Sequence, residues 1–198
     1  MHHFFAYLFR MKNIKRWGLM RSLREEDLEQ HSLEVAVLAH ALALIRRDVF
    51  GKTDVDPEHV AAAAMYHDAS EILTGDMPTP VKYIARSFTG AYKQIEKNAN
   101  DTLLGFLPDA LRSEYEKLFA YDQDALTYSL VKAADRLAAY IKCVDELSAG
   151  NNEYRLAAKQ TRAAIDGMEM PELAYFCENF LPSFSLTLDE MNRSEEEK

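Results

Sequence analysis

The segment AAAAMYHDASEILTGDMPTP places His67 and Asp68 side by side at the end of an alanine-rich apolar stretch. His31 lies upstream in EQHSLEVAVLAHALALI, and Asp135 lies downstream in SLVKAADRLAAYIKC. Their two imidazole nitrogens and two carboxylate oxygens suit a borderline divalent ion such as Mn, Co, Fe, Ni or Zn. Ca and Mg fit less well, because both prefer all-oxygen shells. An ion held with open positions lowers the pKa of its water, so hydrolysis is the chemistry on offer.

The four groups are scattered along the chain, and the elements around them must bring them together. Leu28, Val35, Leu38, Leu42 and Ile45 recur at helical spacing, and His31 lies on the same stripe one turn before Val35. It therefore faces inward. An inward histidine alone is more often a hydrogen-bonded core residue than a ligand. Asp135 changes that balance: its helical neighbours Val131, Ala134, Ala138 and Ala139 are apolar. A buried carboxylate without compensation costs several kcal/mol, so this one requires a cation. Arg136, adjacent in sequence, points elsewhere on a helix.

Helical periodicity dominates and strand alternation is almost absent. Helices are predicted over 3–12, then 27–50 with Gly51 as the stop. A turn over 14–23 carries Arg16 and Trp17. Asp56-Pro57-Glu58 is a start signal, with a capping carboxylate, a first-turn proline and an acid favoured by the helix dipole. The helix it opens is expected to carry Val60 to His67. Gly75, Pro78 and Pro80 break the chain at TGDMPTP, and further helices are expected over 81–106, after Pro108, and over 125–149, 153–165, 171–180 and 186–192. The expected fold is all-α, a single globular domain over 1–198 with its core at about 4–190 and a flexible acidic tail at 193–198.

The 198 residues are 48% hydrophobic and 28% charged, which is ordinary globular composition. No apolar run approaches the ~20 residues that span a bilayer. The net charge of −9 argues against an extended nucleic-acid surface, although one local Arg or Lys pocket suffices for a small phosphorylated ligand. Cys143 and Cys177 lack CxxC spacing and read as buried free thiols, which points to a reducing, cytoplasmic location.

The order His…His-Asp…Asp on helices resembles the HD-domain phosphohydrolases. The local text is similar to one branch, the YfbR-type bacterial 5′-deoxynucleotidases. It matches in RW at 16–17, QHS at 30–32, MYHDASEILTGDMPTPVKY at 65–83, KAADRLAAYIKC at 132–143 and ELSAGNNEY at 146–154. The resemblance runs from Phe4 to about Glu190, and Gln30 departs from it, standing where the branch has Glu.

The resemblance implies an HD-domain helical bundle in which His31, His67, Asp68 and Asp135 hold one divalent metal, Co, Mn or similar. Two-metal relatives use further histidines after the doublet, and this chain has none after His67. The substrates implied are 2′-deoxyribonucleoside 5′-monophosphates, and a homodimer is implied too; the apolar segment AYFCENFLPSFSL would either pack against a second copy or simply complete the core. In this reading Asp68 would serve the attacking water as well as the metal. Glu71, four residues past His67, would share its face if the helix continued, as a general base or else as a solvated end-of-helix acid. Arg16 would offer its guanidinium fork to the phosphate, and Trp17 would pack against sugar or base. The alternatives are one solvated cation among several for Arg16, and plain core for Trp17. In the loop, Asp76, Met77, Pro78 and Thr79 would line the substrate, with Asp76 accepting from a sugar hydroxyl. Two other readings compete: an HD enzyme for triphosphate, cyclic or alarmone nucleotides, and a non-catalytic binding module stabilised by its metal.

Overall fold

A computed structural model of the chain describes residues 1–78, 81 and 86–192. Thr79, Pro80, Lys82 and the tail over 193–198 lie outside the described residues. The expected all-α fold is found: ten α-helices occur among the described residues, with short 3-10 turns and no strand. They are α1 Phe4–Leu8, α2 Leu28–Leu44, α3 Pro57–Met65, α4 Glu71–Thr74, α5 Arg86–Gly105, α6 Asp109–Phe119, α7 Ala125–Ser148, α8 Arg155–Asp166, α9 Pro171–Asn179 and α10 Leu188–Met191.

Local chemistry sets several boundaries where the sequence places them. Asp27 caps α2 by accepting the N–H of Gln30 at 2.9 Å, and α2 runs into a π-helical turn over Ile45–Val49 before Gly51. Gly51 has φ +66°, the left-handed conformation glycine adopts without penalty. Asp56 caps α3 by accepting the N–H of His59, with Pro57 first in the helix.

Helices α2, α3 and α7 meet along their apolar stripes. Val35, Leu38 and Leu42 of α2 pack with Val60 and Ala64 of α3 and with Leu130, Val131, Leu137 and Ala138 of α7. Each fully buried Leu or Val contributes about 1.5–3 kcal/mol relative to exposure. The alanines allow close approach, so the polar residues carried on these faces are drawn together as well. Ile165, Leu173, Phe176 and Leu181 from the later helices close this core.

A second cluster joins Phe4, Leu103, Leu104, Leu107 and Phe119 to Ala69. It explains one departure from expectation: α3 ends at Met65, short of His67. Beyond it the chain turns through bonds of three-residue spacing, Ala69 N–H to Tyr66 C=O and Glu71 N–H to Asp68 C=O. Tyr66 stacks on Phe119 at 5.7 Å, so the second cluster draws Tyr66 and Ala69 off the α3 axis. The first helix is likewise shorter than expected, giving way to a 3-10 turn over Met11–Asn13.

Candidate active site

His31 projects from the first turn of α2 and is fully buried, at 0% exposure. His67 and Asp68 come from the turn after α3, and Asp135 from the middle of α7. His31 Nε2 lies 3.3 Å from Asp135 Oδ1 and 3.8 Å from Asp68 Oδ2, while His67 Nε2 lies 3.1 Å from Asp68 Oδ2. Donor atoms of His31, His67 and Asp135 all fall within 4.8 Å of one another. Donors sharing an ion at about 2.0–2.2 Å stand roughly 3–4 Å apart. The three imidazole–carboxylate separations, 3.1, 3.3 and 3.8 Å, match that spacing.

The nitrogens supply an independent test of fit. Neither His31 nitrogen, nor His67 Nε2, forms a hydrogen bond of acceptable geometry among the described residues, although all three are buried. Polar atoms so placed are costly unless something satisfies them. His67 Nδ1 lies 2.8 Å from the carbonyl of Ala64. A carbonyl only accepts, so Nδ1 carries a proton, and in the neutral imidazole Nε2 presents its lone pair to the site, as a metal-ligating histidine requires. The residues fit a divalent transition cation.

The electrostatics agree. Burial alone would raise the Asp68 pKa, but the facing His67 and Arg16 more than reverse it and hold the carboxyl low. Burial likewise opposes ionisation of Asp135, which His31, Lys132 and His67 hold well below the usual range. Burial pulls the His67 pKa down, and Asp68 overcomes it to leave it raised. Two anionic carboxylates thus face two imidazoles.

Arg16 is not a solvated turn residue. Its Nη1 lies 3.4 Å from Asp68 Oδ2 and 4.0 Å from Glu71 Oε2. Burial acts to lower its pKa, and Asp68, Glu26, Asp135 and Asp76 together raise it. Glu71 opens α4 and is buried, which removes its reading as a solvated acid. It reaches the site from a new short helix and not by continuation of α3. Trp17 is half-buried, packed against Tyr154 at a ring separation of 5.3 Å. Asp76 is half-buried, its pKa raised by burial and opposed by Arg16, while Met77 and Pro78 follow it half-buried. Gln30 is exposed and donates to Glu34 at 2.9 Å, away from the imidazole beside it. Arg136 points out of the site as expected, its Nη1 3.5 Å from the carbonyl of Ala164.

Glu26 and Lys132 were not anticipated. Lys132 Nζ lies 3.3 Å from Asp135 Oδ2, and burial, which lowers its pKa, is outweighed by that carboxylate. Its position three residues before Asp135 is a legible helical pairing signal. Glu26 is hidden in the acidic run REEDLEQ, which reads as an ordinary helix start. Cys143 is buried as expected, but Cys177 is only half-buried.

An all-helical domain that closes His, His-Asp and Asp donors from successive segments around one point defines an HD-domain phosphohydrolase. An HD-domain phosphohydrolase from Listeria innocua superimposes with a TM-score of 0.79 at 23% identity, covering 92% of this chain and 88% of that one. A cyanophage S-2L HD phosphohydrolase, DatZ, described as bound to dA and one catalytic Zn2+ ion, superimposes at 0.62 and 18% identity, covering 90% and 96%. At such identities the likeness shows the fold alone. The sequence is more specific: residues 3–184 match the model of the 5′-deoxynucleotidase YfbR-like family. A 5′-deoxynucleotidase of Vibrio cholerae is 49% identical over 96% of this chain and 98% of its own length. The 5′-deoxynucleotidase YfbR of Escherichia coli is 49% identical over 96% of each chain. The chain belongs to the YfbR-like 5′-deoxynucleotidase family.

Proposed function

We propose that the chain hydrolyses 2′-deoxyribonucleoside 5′-monophosphates to deoxyribonucleoside and phosphate, with His31, His67, Asp68 and Asp135 holding one divalent transition cation. The observation that carries this reading is the convergence of buried imidazole nitrogens without hydrogen bonds on two ionised carboxylates. Co or Mn would suit the mixed nitrogen and oxygen donors. When bound, the cation supplies a water of lowered pKa and neutralises charge on the phosphoryl group.

The chain's own residues do the rest. Arg16 binds phosphate oxygens with a guanidinium already held inward by Asp68 and Glu26. Glu71, buried beside Arg16, takes a proton from the attacking water, and Asp68 helps to orient that water. The water oxygen bonds to phosphorus as the bond to the 5′-oxygen breaks, and the proton taken by Glu71 is returned to that leaving oxygen to give the nucleoside hydroxyl. Trp17 and the loop carrying Asp76, Met77 and Pro78 contact the sugar, Asp76 accepting from the 3′-hydroxyl. Arg16 and Lys132 provide the positive charge beside the carboxylates, a complement suited to a monophosphate dianion more than to a triphosphate.

Protein stripped with chelator and resupplied with Co or Mn is offered deoxy- and ribonucleoside mono-, di- and triphosphates. Phosphate release from the deoxy monophosphates is expected. Pyrophosphate or triphosphate release would move the reading to another nucleotide, and silence throughout would leave a metal-stabilised binding module.

No helix among the described residues is long and apolar enough to cross a membrane; the two free cysteines favour a cytoplasmic location. A homodimer is the expected assembly. Within AYFCENFLPSFSL, Phe176 and Leu181 complete the core, whereas Phe180, Phe184 and Leu186 are exposed and available to a second copy. Light scattering at micromolar concentration tests it.

A further inference from the structure

Residues 14–16 run antiparallel to 26–28. Arg16 N–H donates to the carbonyl of Glu26, Leu28 N–H donates to that of Ile14, and Lys15 bridges Asp27. The pairing sets the Glu26 side chain, only 4% exposed, between the cationic arm and the His31 ring. Both carboxylate oxygens are engaged. Arg16 Nε donates to Oε1 at 2.9 Å, and Trp17 Nε1 donates to Oε2 at 3.2 Å. Oε1 also lies 3.5 Å from His31 Nδ1, on the opposite side of the ring from Asp135. Trp17 meanwhile holds φ +58°, the left-handed region that a bulky side chain seldom adopts without restraint.

We propose that Glu26 is the positioning residue of this site: one buried carboxylate aims the Arg16 guanidinium at the phosphate position, fixes the left-handed Trp17, and backs the His31 imidazole. This rests on the phosphatase reading above and extends it to a residue that touches neither substrate nor cation.

A glutamine cannot reproduce the arrangement. Arg16 Nε and Trp17 Nε1 are both donors, and glutamine offers one acceptor oxygen and one NH2, so one donor must face another donor. In Glu26→Gln, either the guanidinium or the indole loses its anchor. An aspartate keeps the charge and both acceptors on a side chain shorter by one methylene, so Glu26→Asp restores part of what Glu26→Gln loses.

Trp17 is the only tryptophan in the chain, so its emission reports the anchor directly, without cation or substrate. The experiment compares wild type, Glu26→Gln and Glu26→Asp in three measurements. These are Trp17 emission with acrylamide quenching in chelator-treated protein, thermal unfolding, and kcat and KM on a deoxyribonucleoside and a ribonucleoside 5′-monophosphate. Glu26→Gln is expected to shift the emission to the red, to increase quenching, and to lower kcat/KM by about 10–100-fold, the range for outer residues that orient site groups. Its preference for deoxy over ribo substrate should fall, with Glu26→Asp intermediate. If Glu26→Gln does not fold, Glu26→Asp carries the test through the same emission and kinetic readouts. A lowered melting temperature with wild-type emission, quenching and substrate preference would overturn the proposal and leave Glu26 a packing residue. Wild-type protein silent on monophosphates but showing the Glu26-dependent emission shift would sink the phosphatase reading while upholding the anchor.

Discussion

Helix α7 carries two buried polar clusters, and they differ in completeness. Around Asp135, the imidazole nitrogens of His31 and the Nε2 of His67 form no hydrogen bond among the described residues. About three turns further on, Glu146 is 2% exposed, yet each of its oxygens accepts twice. Oε1 takes Lys142 Nζ at 2.7 Å and the N–H of Arg24 at 3.1 Å. Oε2 takes the N–H of Leu23 at 2.9 Å and Asn151 Nδ2 at 2.7 Å. The Glu146 cluster is satisfied by the chain alone and ties the 21–24 segment to the helix. The Asp135 cluster is not, and a divalent cation would complete it. Burial is therefore not what marks the functional cluster; unmet hydrogen-bonding capacity is.

The largest expected effect comes from breaking the incomplete cluster. Asp135→Asn removes an anionic donor and several kcal/mol of charge stabilisation, so phosphate release should fall by about a thousandfold or more. Titration with Co or Mn should raise the wild-type melting temperature and leave that of the variant nearly unmoved. A variant retaining both the shift and the activity would mean that Asp135 is not a ligand.

Breaking the complete cluster should act on stability instead. Glu146→Ala leaves the buried Lys142 ammonium without its carboxylate, only the Arg24 carbonyl still accepting from it, and should cost about 3–5 kcal/mol by urea unfolding, with metal-induced stabilisation of the folded fraction preserved. Acid titration sharpens the contrast. Burial would raise the Glu146 pKa, but Lys142, the Leu23 and Arg24 amides and Asn151 depress it from 4.5 to about 2. The stability it contributes is thus complete above the unfolded value near 4.5 and is lost as pH falls through about 2. The stability curve of Glu146→Ala should be flatter over that window, and an unchanged acid limb would refute the assignment.

Smaller effects are expected at the rim. If Trp17 and the Asp76 loop crowd C2′, Trp17→Ala raises ribonucleotide turnover relative to deoxyribonucleotide, by at most about a hundredfold, since packing alone rejects a hydroxyl only modestly. A preference that survives intact would remove the steric account. Gln30→Glu should do least. Its side chain is on solvent, so stability should change by no more than about 0.5 kcal/mol and kcat should barely move.

Much of the architecture was legible from local signals. The start of α2 near Asp27, the Asp56 cap, the stop at Gly51 and the inward stripe of α2 follow from backbone chemistry within a few residues. His31 and Asp135 were legible because a polar residue on an apolar helical face is conspicuous. The end of α3 was not legible, because Tyr66 and Ala69 answer to Phe119 and Leu103, which lie far along the chain. Glu71 was found by a spacing argument that assumed a continuous helix; it is buried near Arg16 although the helix breaks.

The order of donors, the faces they occupy and the chain's helical character were written in the residues themselves, since side-chain direction on a helix follows from spacing. Tertiary packing alone decided that His67 Nε2 is 3.1 Å from Asp68 Oδ2, that Arg16 turns inward, and that Glu26 stands behind both Arg16 and His31. Separations of a few ångströms between side chains on different helices depend on how α2, α3 and α7 fill the space among them, and no stretch of sequence holds that information by itself.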